Sequence, residues 1–108
     1  MSTIQKRIHE QLTSNPVVLY MKGTPQFPRC GFSAGAVQIL KGCGVTDFFA
    51  VDVLMDEDLR QGVKDYASWP TFPQLFVKGE LIGGVDIMRE MSENGELQQL
   101  LKDAGVVA

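Results

Sequence analysis

Cys30 and Cys43 are the only thiols in the 108 residues, and their surroundings differ. Cys30 stands between a stretch holding Gly23, Pro25 and Pro28 and a helix expected to begin at Cys30 or Gly31. At a helix start, unpaired backbone N–H groups and the helix dipole favour a thiolate. Lys22 and Arg29 add positive charge nearby. A free thiol titrates at about 8.5, so such surroundings leave a usable ionised fraction at neutral pH. The alternative, a buried filler cysteine, gains nothing from flanking Arg29 and Gly31. In the redox pattern C-x-x-C the second cysteine resolves the mixed disulfide formed by the first. Here that position is Ser33, and a hydroxyl cannot resolve a disulfide. Cys43 lies thirteen residues further on. Along a helix that is about 20 Å, against a bridging limit of about 7 Å between Cα atoms. Cys43 reads as a residue of the helix's apolar face, so thiol chemistry at Cys30 needs a second thiol from outside the chain.

The elements that must hold Cys30 follow from hydrophobic spacing. Ile4, Ile8 and Leu12 recur at helical intervals behind Ser2 and Thr3 as candidate caps, and Asn15-Pro16 ends that helix. Val17 to Met21 is a continuous β-prone run, the pattern of a central strand covered on both faces. Lys22 to Arg29 then forms a loop leaving the carboxyl end of that strand, where ligand sites of open α/β sheets gather. Ala36, Val37, Leu40 and Cys43 stripe the next helix, stopped by Gly42 and Gly44. Phe48 to Val53 reads as a second buried strand, parallel to the first through a right-handed crossover. Asp56, Glu57 and Asp58 sit at the positive end of a helix carrying Leu59, Val63 and Tyr66, closed by Pro70. Leu75 to Val77 and Leu81 to Gly83 make a hairpin across Gly79-Glu80. Ile87, Met88 and Met91, then Leu97, Leu100 and Leu101, give two closing helices broken at Asn94-Gly95. The expected class is α/β: a four-stranded mixed sheet flanked by helices on both faces.

Composition bounds the function. A chain of this length, 44% hydrophobic and 21% charged, makes one ordinary core, so a single domain over residues 1–108 is expected. The longest apolar run covers five residues, where a membrane-spanning helix needs about 20. Lys6, Arg7 and Glu10 interrupt the start, leaving no signal-peptide core, so a soluble cytoplasmic protein with reduced thiols is expected. A net charge of −3 gives no reason to expect nucleic acid, and no phosphate loop or metalloprotease motif is present. His9, the one histidine, falls on the first amphipathic helix as a surface residue; Met21, Met55, Met88 and Met91 read as packing residues.

Four motifs in order, Met21-Lys22-Gly23-Thr24-Pro25, Cys30-Gly31-Phe32-Ser33, Trp69-Pro70-Thr71-Phe72-Pro73 and Gly83-Gly84-Val85-Asp86, resemble those of the monothiol glutaredoxins of the CGFS type. The resemblance runs from Ile4 to Leu101 and matches the single-domain members. It implies a thioredoxin fold, a glutathione site, and a [2Fe-2S] cluster shared by two chains. Carried over residue by residue, it implies that Lys22 and Arg60 hold the glycyl carboxylate of glutathione. The backbone of Phe72, beside a cis-Pro73, would pair with the cysteinyl unit, and Gly84, Val85 and Asp86 would hold the γ-glutamyl end. The resemblance also implies that Phe32 belongs to the same site and that Cys30 is both catalytic thiol and iron ligand. The chemistry agrees: exposed N–H groups after Gly84 suit a carboxylate, and the Asp86 carboxylate suits an ammonium. Plainer roles stay open, with Asp86 as an N-cap, Arg60 paired with Asp56, Lys22 as a loop residue and Trp69 as a packing aromatic.

The cluster needs four thiolates, and one chain supplies only Cys30. Two chains and two glutathiones complete the set, so the resemblance implies a homodimer held by its cargo, delivering clusters to apo iron–sulfur proteins with BolA-like partners. The other class is an enzyme, a glutathione-dependent oxidoreductase working through Cys30. The stretch from Gly23 to Arg29, longer than the approach to the cysteine in dithiol glutaredoxins, is linked by the resemblance to weak disulfide reduction. A third option is an adaptor whose Cys30 binds nothing.

Overall fold

A computed structural model describes residues 2–107. The central strand organises everything else. Strand β1 (Val17–Met21) is buried along its whole length, and its side chains alternate between two cores. Val17, Leu19 and Met21 face helices α2 (Gly31–Gly42), α4 (Val85–Glu93) and α5 (Glu96–Asp103). Val18 and Tyr20 face α1 (Thr3–Ser14) and α3 (Glu57–Ala67). The remaining strands are β2 (Phe49–Asp52), β3 (Gln74–Val77) and β4 (Glu80–Gly83), in sheet order β2-β1-β3-β4. β1 runs parallel to β2 and antiparallel to β3, and β4 is antiparallel to β3. This is the expected α/β class, a four-stranded mixed sheet between two helical layers.

Four details differ from the reading of the sequence. β2 is an edge strand, and Phe49 is substantially exposed rather than buried, because β2 has a neighbour only in β1. It also stops at Asp52, whose carboxylate accepts the Leu54 N–H and opens a 3-10 turn at Val53–Met55. Helix α3 ends at Ala67, before Pro70, because Ser68 takes a left-handed conformation with φ 50°. The hairpin turn is Lys78-Gly79, not Gly79-Glu80: φ is 52° and 80°, the two positive values that a two-residue hairpin turn needs, and Glu80 pairs with Val77. Of the two candidate caps of α1, Ser2 is the one used, as expected: its side chain accepts the Gln5 N–H at 3.1 Å.

Helices α1 and α3 approach closely. A Cβ at Gly62 would collide with Ile4 Cγ2, and the Gly62 carbonyl accepts Gln5 Nε2 at 3.2 Å. Arg7 on α1 reaches across to Asp56 at 2.9 Å. Asp56 also caps α3 by accepting the Leu59 N–H at 3.1 Å, and that hydrogen bond, then Arg7, lowers its pKa below the usual 3.8.

Candidate functional site

Cys30 is the N-cap of α2, with extended backbone angles, at the carboxyl end of β1. The stretch before it is a tight bracket rather than an irregular loop. Gly23 and Pro28 form an isolated bridge, and Arg29 N–H donates to the Lys22 carbonyl at 2.9 Å. Thr24 and Phe27 exchange backbone hydrogen bonds at 3.3 and 3.1 Å across its tip. Only glycine fits at 23: φ is 91°, and a Cβ would sit 2.6 Å from both Arg29 N and the Phe27 carbonyl. Two side chains anchor the bracket. Asp52 Oδ1 accepts the Gly23 N–H at 3.0 Å, and Ser33 Oγ accepts the Lys22 N–H at 3.0 Å.

Ser33, at the position of the absent second cysteine, is fully buried and joins β1 to α2. It also acts on the thiol. Cys30 makes no cap hydrogen bond as a neutral side chain, but an ionised sulfur is a better acceptor. The Ser33 backbone N–H chiefly lowers the Cys30 pKa below the usual thiol value. Burial works against it, while the Phe32 N–H, the Lys22 charge and the Ser33 hydroxyl assist. Arg29 is not among the groups that act. Cys43, at the opposite end of the same helix and packed against the core, has its pKa raised by burial. The two thiols are therefore distinct in chemistry as well as in place.

Beside Cys30 lies a pocket of about 440 Å³. All eight residues singled out from the sequence line it: Lys22, Cys30, Phe32, Arg60, Phe72, Gly84, Val85 and Asp86. Five segments converge to do this: the end of β1, the first turn of α2, one face of α3, the approach to β3 and the start of α4. The Phe72–Pro73 peptide is cis, and both residues line the wall. Gly84 is the N-cap of α4 and offers no capping side chain, so the first N–H groups of that helix stay available. Asp86 is therefore not the cap; its exposed carboxylate lies 3.6 Å from Arg89. Arg60 pairs with Glu57 at 3.5 Å rather than with Asp56, which Arg7 has taken. That Glu57 pair is exposed and weak, leaving Arg60 free for a ligand.

The sequence reading missed Lys64, a third cation on the pocket wall, one helical turn beyond Arg60. The i, i+4 spacing was the available signal. It also missed Gln74, fully buried, whose Nε2 donates to the Trp69 and Thr71 carbonyls, each at 3.1 Å, and fixes the path of the chain before Phe72. Trp69 is a wall of the pocket rather than a core residue. Two donors on that wall, Arg60 Nε and Trp69 Nε1, are buried without a hydrogen-bond partner. Lys22, Arg60 and Lys64 against Asp86 make the pocket locally cationic in a chain of net charge −3. Such a site suits a small ligand carrying carboxylates and a thiol.

A mixed sheet whose central strand leads into a poised cysteine at a helix N-terminus is the thioredoxin-like architecture. Within it the chain belongs to the glutaredoxin family, whose profile matches residues 17–82. It is 55% identical over 103 residues to Glutaredoxin 4 of Escherichia coli K12, covering 95% of this chain and 89% of that protein. It is 60% identical over 87 residues to the probable monothiol glutaredoxin GrlA of Legionella pneumophila, covering 81% and 97%. Among solved structures, reduced apo GrxS14 of poplar superposes with a TM-score of 0.83 at 48% identity, covering 96% of this chain and 94% of that one.

Proposed function

We propose that this chain is a monothiol glutaredoxin that binds glutathione in the pocket beside Cys30 and, as a pair of chains, carries a bridging [2Fe-2S] cluster to apo iron–sulfur proteins. The observation that carries the reading is one thiol with a lowered pKa on the rim of a cationic pocket, with no second thiol in reach. Lys22 and Arg60 would take the glycyl carboxylate, the Phe72 backbone the cysteinyl unit, and Gly84, Val85 and Asp86 the γ-glutamyl end. Phe32 would line the same site. Among the described residues no three His, Cys, Asp or Glu side chains gather to hold a metal. The donor set therefore fits a shared cargo: two Cys30 thiolates and two glutathione thiolates supply the four a cluster needs. Such a cluster sits at the surface, in keeping with hand-over to a partner of the BolA kind or to an apoprotein. We read residues 1–108 as one domain and place it in the cytoplasm, where thiols stay reduced.

Anaerobic reconstitution with glutathione and iron–sulfur assembly components tests this, read by visible absorption and mass in solution. The expected result is about one cluster per two chains. Cys30→Ser should abolish it and Cys43→Ser retain it. Full loading of the Cys30 variant would end the assignment.

The lowered thiol also favours a second reading, reduction of protein–glutathione mixed disulfides. The Cys30 thiolate would attack the glutathione sulfur, forming a Cys30–glutathione disulfide and releasing the protein thiolate. A second glutathione thiolate would then break that bond, leaving glutathione disulfide and free Cys30. Fast glutathione-coupled turnover of a small mixed disulfide, with no cluster on reconstitution, would put this reading first.

A further inference from the structure

The glutathione assignment leaves one built feature of the pocket without a task. Trp69 lies on the wall, and its Nε1 is buried with no partner. An indole nitrogen only donates, and a buried donor without an acceptor retains its desolvation cost. Native structures rarely leave such a group idle. The backbone of Trp69 is held on both sides: its N–H donates to the Lys64 carbonyl at 3.1 Å, and its carbonyl accepts Gln74 Nε2 at 3.1 Å. The ring is half-buried and lines the pocket, so a ligand seated there lies against it.

The neighbouring residue indicates which oxygen. A Cβ on Gly84 would lie 3.9 Å from Trp69 Nε1 and 3.4 Å from the Pro73 carbonyl. Gly84 and the indole nitrogen are therefore neighbours on the pocket wall. Gly84 starts α4, whose free N–H groups are assigned to the γ-glutamyl carboxylate, while the glycyl carboxylate goes to Lys22 and Arg60. The indole donor therefore stands toward the γ-glutamyl-cysteinyl half.

We propose that the Trp69 indole N–H is a ligand donor, bonding an acceptor oxygen of the γ-glutamyl-cysteinyl half of glutathione. This rests on the glutathione reading above and adds to it a specificity residue for one half of the tripeptide. Arg60 Nε, the other idle donor of the wall, belongs to the opposite half.

Trp69 is the sole tryptophan of the 108 residues, so the reduced chain gives one indole N–H signal in a proton–nitrogen correlation spectrum. Titrated with reduced glutathione, that signal should move downfield and saturate together with the backbone signals of Lys22 and Val85. γ-Glutamylcysteine should move it as well; cysteinylglycine should not. Trp69→Phe should weaken glutathione and γ-glutamylcysteine about two- to ten-fold, the effect of one neutral hydrogen bond, and leave cysteinylglycine unchanged. The wild-type titration decides the matter even if that variant folds poorly. An indole signal that stays still while Lys22 and Val85 shift overturns the proposal and leaves the glutathione site standing. Equal movement with cysteinylglycine overturns the assignment to that half, and no movement at any signal overturns both readings.

Discussion

Replacing Ser33 by Ala tests the junction between strand, helix and thiol. Ser33 is fully buried, and its Oγ takes the Lys22 N–H at 3.0 Å. Alanine leaves that N–H without an acceptor, where water has little access, at a cost of about 1 to 3 kcal/mol. For a chain of this length each kcal/mol moves the thermal midpoint by roughly 4 °C or somewhat more, so Tm should fall by roughly 4 to 12 °C. The thiol should respond as well. The Ser33 hydroxyl favours the charged sulfur, so losing it disfavours ionisation and moves the Cys30 titration to higher pH. The Ser33 and Phe32 N–H groups and Lys22 remain, so Cys30 should still ionise before Cys43, whose pKa burial raises. Thermal melts and the iodoacetamide rate at each cysteine across pH, resolved by peptide mass, measure both effects. A variant with wild-type Tm and a superimposable Cys30 rate profile would refute the reasoning.

Gly23→Ala should be destabilised by more than 1 kcal/mol, because the new methyl meets backbone atoms at 2.6 Å in a left-handed conformation; wild-type urea unfolding would contradict this. Lys22→Ala and Arg60→Ala should each weaken glutathione about 10- to 100-fold by titration calorimetry, with Tm nearly unchanged. Lys64→Ala, lacking an assigned carboxylate, should act mainly through ionic strength, with less effect as salt rises. The Asp56 pKa is lowered in the folded chain, so its contribution is present above its unfolded pKa and lost as pH falls through the folded one. Asp56→Asn should flatten that part of the acid unfolding curve, and an unchanged curve would assign acid sensitivity elsewhere.

Elements with strong periodicity were legible in the sequence: β1 as an unbroken apolar run, and α1, α2 and α3 from their stripes. Much of what escaped depended on neighbours distant in the chain. The exposure of β2 is a property of sheet order, which a run such as Phe48 to Val51 does not carry. Asp56 lies four residues before Arg60, a good helical pairing, yet α1 packs alongside and Arg7 takes the carboxylate. Nothing in the character of Lys78 or Ser68 announces a left-handed backbone. That most of the named residues would come to line one pocket was legible through the motifs, because each motif is a segment that must adopt one local shape beside the thiol. The supports of that shape, Asp52 under Gly23 and Gln74 under Trp69, were not, since a lone polar residue in a strand gives no sign of its distant partner.

The placement of three cations around one opening in an acidic chain has a kinetic consequence. At physiological salt the Debye length is about 8 Å, so an anion beyond that distance from the surface is barely repelled by the body of the protein. Closer in, at the mouth of the pocket, Lys22, Arg60 and Lys64 set the local potential. In dilute buffer the net charge reaches further and opposes approach. Modest salt should therefore quicken the arrival of an anionic ligand at this pocket while shortening its stay, dividing the charge of one small molecule between how fast partners meet and how long they remain together.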